Sequence, residues 1–229
     1  MPAWNDDMSP HLPPLSLLEA RVLGVLAEKR HTVPDTYPLT LNALTAGCNQ
    51  KSSRDPVLNA TEAEVQVAVD RLKALALVVE SSGGRVMRYA HNIERVLGIP
   101  SQAVALLTTL MLRGTQTVGE LRINCERLHP FADVSAVDGF LHELAERADG
   151  PLVAELPRAP GARENRWMHL LSGRENAAGA IAALPEAMPG DVITLSELAA
   201  IRTSVAELRA EVEVLKAKVA GLSKDLGVG

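Results

Sequence analysis

Leu18, Val22, Val25 and Leu26 recur at the three- and four-residue steps of one helix face, which predicts a first helix opening behind Ser16. Val65, Val69 and Leu72 repeat that spacing, as do Val137, Leu141 and Leu144. Between these stretches, Thr40 to Cys48 and Thr117 to Cys125 read as two short helices, each opened by Thr and ending on Cys. Upstream, Ala20 to Arg30 aligns with Ala103 to Arg113, setting Leu23 against Leu106 and Arg30 against Arg113. The chain therefore repeats a unit of helix, short helix, helix. Ser16/Glu19, Thr61/Glu64, Thr117/Glu120 and Thr194/Glu197 each fit a capping box, in which the hydroxyl accepts from an orphan backbone N–H and the Glu reaches back to the cap residue. Four such pairs before apolar-periodic runs fix the helix starts.

After each third helix the period changes from helical to alternating. Leu77 to Glu80 and Arg85 to Tyr89 flank Ser81-Ser82-Gly83-Gly84, a hairpin signal. Leu152 to Leu156 and Arg166 to Leu170 flank a longer Pro- and Gly-bearing loop in the second copy. Three helices and a two-stranded wing make a winged helix-turn-helix. The pattern predicts a mainly α protein with small β-hairpins: a disordered N-terminal tail (1–14), winged-helix domains at 15–95 and 96–173, a linker (174–193) and a coiled-coil helix (194–226). In that last segment Leu198, Ile201, Val205, Leu208, Val212, Leu215, Val219, Leu222 and Leu226 alternate steps of three and four. With Leu198 at a, Val fills three successive a positions, and Ile201 with leucines fills d, the arrangement that favours a parallel homodimer. Glu197 then faces Arg202, and Glu211 faces Lys216, of the second copy. The alternative is a single helix folded back on its own domain.

Three segments carry a resemblance. Leu18 to Lys29, Tyr37 to Val57 and Leu106 to Arg122, with Arg163 to Gly173, resemble the YceH-like family of bacterial proteins. The resemblance covers roughly residues 15 to 173. It implies two tandem winged-helix domains, a coiled-coil-like tail and a cytoplasmic bacterial protein, and it implies no activity and no catalytic residues.

Composition narrows the chemistry. Only 3% of residues are aromatic, too few for a row of rings on which bases could stack. Two cysteines, Cys48 and Cys125, do not make a disulfide framework, and their equivalent places at short-helix ends suit small buried hydrophobes. Six scattered histidines form no H-x-x-x-H pair, and no phosphate-cradling glycine motif opens a helix. The expectation is a non-enzymatic protein without metal or cofactor. No run of eighteen apolar residues and no cationic leader appears, so a cytoplasmic address without membrane insertion is expected.

Charge then tests the function that the fold suggests, which is binding of double-stranded DNA in a regulatory or nucleoid-associated role. Net charge is −5. By segment, 15–95 holds ten Lys and Arg against nine Asp and Glu, and 96–174 holds eight against nine, so the two domains are near neutral. The helices expected to read bases begin acidic, with Glu62 and Glu64 in one and Asp133 and Asp138 in the other. The candidate DNA contacts are therefore on the wings and in the connector between second and third helices: Lys51, Arg54, Arg85, Arg88, Arg158, Arg163 and Arg166. Such cations position a duplex without reading its sequence. The competing reading is a winged-helix protein-interaction or scaffolding module, dimerised by its C-terminal helix, whose protein partner the sequence does not identify.

Overall fold

The computed structural model describes residues 12–82, 86–158 and 162–173 of the chain. Arg85, the linker and the whole heptad seam from Leu198 to Leu226 lie outside the described residues. Within them the order is α1 (Leu17–Thr32), a 3-10 turn (Pro34–Thr36), β1 (Leu39–Thr40), α2 (Leu41–Cys48), α3 (Glu62–Ala74), β2 (Val78–Ser81), β3 (Arg88–His91), α4 (Ile93–Leu97), α5 (Ser101–Arg113), α6 (Val118–Cys125), α7 (Val134–Ala145), β4 (Val153–Leu156) and β5 (Arg166–His169). The protein is mainly helical, with small antiparallel sheets. Among the described residues no helix is long and apolar enough to cross a membrane.

Local chemistry sets the helix starts. Ser16, Thr61 and Thr117 each accept from the N3 backbone N–H, and Glu19, Glu64 and Glu120 each return to the cap N–H, so these three predicted capping boxes close; the fourth, Thr194/Glu197, lies outside the described residues. Thr40 and Asp133 cap α2 and α7 by the side-chain half of the same device. In α3 the cap draws the Glu64 carboxyl below its usual range, because the carboxylate accepts from the Thr61 backbone N–H and hydroxyl.

The repeat is visible in the strands as well. Leu39 pairs with Tyr89 in a three-stranded sheet of order β1-β3-β2, and Gln116 pairs with Trp167 beside the β4-β5 ladder. Each cap threonine is thus preceded by one residue that extends the following sheet. The 3-10 turn, β1 and α4 fall outside the elements that the sequence predicts: the first two span three and two residues, and α4 places Ile93, Val96 and Leu97 on the core within a single five-residue helix.

One core serves both halves. Residues Glu19 to Ala27 of α1 are all buried, so this helix is surrounded on every side and not merely along the stripe its sequence displays. α1 lies on α5, closely enough that a Cβ on Gly24 would stand 3.0 Å from Leu112 Cδ2. Two further ties join the halves. Leu15 N donates to Leu171 O (2.8 Å), and Asp55 N donates to Leu112 O (2.8 Å). Leu12 and Pro14, within the stretch read as a disordered tail, are placed: Leu12 packs on the core and Pro14 O accepts from Arg71.

Two helical glycines give opposite expectations. At Gly47 an added Cβ would come within 2.6 Å of Val25 Cγ1, and Val25 is fully buried. Gly47→Ala should therefore lower stability by about 1–2 kcal/mol, overpacking outweighing the gain in helix propensity. At Gly139, in α7, an added Cβ would meet nothing within 4 Å. Gly139→Ala should raise stability by about 0.5–1 kcal/mol. Urea denaturation midpoints of the two variants check the pair; shifts of the same sign would contradict it.

Candidate macromolecular interface

Of the seven cations expected to meet DNA, Arg85 lies outside the described residues, and the other six do not form one surface. Arg54 is in the interior, its side chain fully enclosed. Its Nε donates to Gly47 O (3.1 Å), one terminal nitrogen to Glu28 Oε1 (3.1 Å) and Ser53 O (2.8 Å), and the other to Glu28 Oε2 (2.6 Å) and Gln50 Oε1 (3.1 Å). This is a two-pronged ion pair, the strong form of the contact. Burial raises the Glu28 carboxyl, but hydrogen bonding and charge from Arg54, with Lys29 behind, outweigh it and hold the group below its usual range. Every guanidinium direction of Arg54 is taken, so its expected role as a phosphate contact is corrected: the residue pins the α2–α3 connector onto α1.

Arg88 and Arg166 occupy equivalent places in the repeat, and both turn back on the chain. Arg88 donates to Pro38 O (2.8 Å) and Thr36 O (3.3 Å). Arg166 donates to Thr115 O (3.0 Å) and pairs with Glu120 Oε2 (2.7 Å). Pro38 and Thr115 each stand two residues before the cap threonine of a short helix. Each arginine therefore fastens its sheet to the start of α2 or α6. The strand alternation explains the outward arginine and the inward ring beside it: Tyr89 is 5% exposed and Trp167 2% exposed. Lys51, Arg158 and Arg163 are exposed, and no ion pair or side-chain hydrogen bond ties them among the described residues.

The outward faces of the third helices are not basic. On α3, Glu62, Ala63, Val67, Asp70 and Arg71 face solvent, and Val67 is 70% exposed. Arg71 leans on the buried Glu19 (3.3 Å), and Gln66 reaches Asp70 (3.0 Å). In the second half, Val134 of α7 and Ile123 of α6 are exposed, and Arg122 of α6 donates to Ala132 O just before the α7 cap.

Buried polar groups elsewhere serve packing. Cys48 and Cys125 are free and fully buried, with thiols pushed up to about 12 and about 11 by desolvation; neither is a thiolate at neutral pH. Cys125 Sγ contacts Thr109 Oγ1 (2.9 Å) and Ala105 O (3.5 Å). Sequence reasoning missed Arg21, buried on α1, whose terminal nitrogens donate to Cys48 O (3.2 Å) and Pro56 O (2.7 Å). Desolvation, with Arg54 nearby, lowers its pKa. Among the described residues no group of three His, Cys, Asp or Glu side chains is placed to hold a metal ion.

Fold and surface together define an internally repeated, mainly helical protein whose arginines chiefly brace its own connectors. Residues 15–162 match the family model described as "Protein of unknown function, DUF480", and the chain belongs to that family. It is 58% identical to a UPF0502 protein of Burkholderia orbicola, over 93% of this chain and 90% of the relative. A UPF0502 protein of Dechloromonas aromatica is 59% identical over 89% of this chain and 96% of its own length. The bacterial family anticipated from Leu18 to Lys29 and its companion segments is of this kind.

Proposed function

We propose that the chain is a non-catalytic interaction module in which each half is a winged helix-turn-helix and the outward helix faces receive a protein partner. The observation that carries this reading is the internal engagement of Arg54, Arg88 and Arg166, which leaves the third helices with acidic and apolar outer faces. A duplex-binding surface must release counterions from several phosphates, and each missing cation weakens it. Exposed Val67, Ile123 and Val134 suit an apolar contact instead. In this proposal the heptads from Leu198 to Leu222 join two copies as a parallel dimer in the cytoplasm. Light scattering should give twice the chain mass for the intact protein and the single mass for one ending at Asp191; two single masses would remove the dimer.

A second reading keeps a specific observation in its favour. Lys51, Arg158 and Arg163 are exposed and unengaged among the described residues, and a dimer would double them. One experiment separates the two readings. A photo-crosslinking residue at Ile123, in the full-length protein within its own cells, should give a discrete protein adduct that survives nuclease. Titration against duplex DNA at two salt concentrations should give no salt-dependent binding. A steep salt slope that Arg158→Ala with Arg163→Ala reduces by about two would instead establish the DNA reading.

A further inference from the structure

His91 closes β3, where the first half passes the chain to α4. It is 7% exposed. Its backbone N–H donates to the Tyr37 hydroxyl (2.9 Å), and the two rings meet edge to face. Around the imidazole both neighbours are donors. An Arg30 guanidinium nitrogen stands 3.4 Å from Nε2, and the Ile93 backbone N stands 3.5 Å from Nδ1. Neither can accept, and a neutral imidazole carries one proton, so in either tautomer one ring N–H already opposes a donor. A second proton would oppose both and set a cation beside Arg30.

The same Arg30 nitrogen donates to Glu94 Oε2 (2.9 Å), tying the last turn of α1 to α4. At its other end α4 is held by the second half, where Arg147 donates to Leu97 O (2.7 Å), followed by Gly98 in the left-handed region (φ 61°). α4 is thus a short link fastened to one half at each end. The charged and titratable groups that face His91 are Arg30 and His31 from α1, Tyr37 after the 3-10 turn, and Glu94 from α4; across the ladder β2 presents Val78.

We propose that His91 is an acid-sensitive release for the joint between α1 and α4: on taking a proton the ring is drawn to Glu94, displaces Arg30 from it and frees the first-half end of α4. Burial, and then the Arg30 charge, hold the pKa at about 4, so the release belongs to acid conditions and is closed at neutral pH.

The test is the pH dependence of the Ile93 and Glu94 amide resonances of the full-length protein between pH 7.5 and 4. A single titration with its midpoint well below 6 is expected. It should vanish in His91→Gln and persist in His169→Gln, which changes the other deeply set histidine. Arg30→Gln should raise the midpoint by about half a unit or more, since it removes the repelling charge. An unchanged titration in His91→Gln overturns the proposal; so does an unmoved midpoint in Arg30→Gln, a readout that stands even where His91→Gln does not fold.

Discussion

Arg54→Ala should destabilise the folded chain by about 3 kcal/mol, because it leaves the half-buried Glu28 carboxylate with Lys29 (3.2 Å) as its remaining counter-charge and opens a hole in the interior. The Gly47 and Ser53 carbonyls lose their Arg54 donor in the same step, and Gln50 Oε1 keeps Lys29 alone. Lys51→Ala, three residues away and exposed, should move stability by no more than about 0.5 kcal/mol. Urea denaturation followed by far-ultraviolet circular dichroism distinguishes them. Equal midpoints for the two variants would return Arg54 to the surface and reopen its role as a phosphate contact. Because Arg54 binds through Glu28 to the C-terminal half of α1, the loss should appear in the global transition and not as fraying of the connector.

The second large effect is set by pH. His91 and His169 both titrate near 4, against an ordinary 6.5, each chiefly through burial. His169 keeps some exposed surface, yet its Nδ1 is shut from solvent with no hydrogen-bond partner among the described residues. A histidine whose folded pKa is depressed takes up a proton more readily when unfolded. Its contribution is complete above about 6.5 and is lost as pH falls from there toward 4. At roughly 1.4 kcal/mol per unit, each ring accounts for about 2–3 kcal/mol by pH 4.5. Glu28, held below its usual range, acts in the same direction at lower pH still. Exposed His142, raised by its contact with the Asp138 carbonyl, acts in the opposite direction and weakly. The expected result is a urea midpoint that falls steadily from pH 7 to 4.5, with a shallower slope in His169→Gln. A flat profile across that range would show that neither ring is shut away from water.

What could be read from the chain was what short-range chemistry decides. Ser16 with Glu19, Thr61 with Glu64 and Thr117 with Glu120 act within three residues, and their spacing alone fixes where α1, α3 and α6 start. The switch to alternation after each third helix marked the strands that carry Arg88 and Arg166, while the inward turn of Tyr89 and Trp167 beside them came from the structure. Matching ends at Cys48 and Cys125 reveal the repeat and, through it, two buried thiols. The candidate site was less legible because burial of a charged residue depends on a partner distant in sequence. Glu28 lies 26 positions from Arg54, and nothing in Ser53-Arg54-Asp55 signals that the chain folds inward there. Arg88 and Arg166 look like free wing cations until the carbonyls ahead of α2 and α6 are brought beside them. Arg21 was hidden by the opposite problem: α1 is enclosed on all sides, so its polar position breaks no visible stripe.

The hydrogen bond from Leu15 to Leu171, with Pro14 lying against Gly173, has a mechanical meaning. The repeated unit begins and ends at one spot on its surface. A load applied through residues 12 and 173 falls first on that clasp, together with the Arg71 contact to Pro14 O and the packing of Leu12, before it reaches the helices behind them.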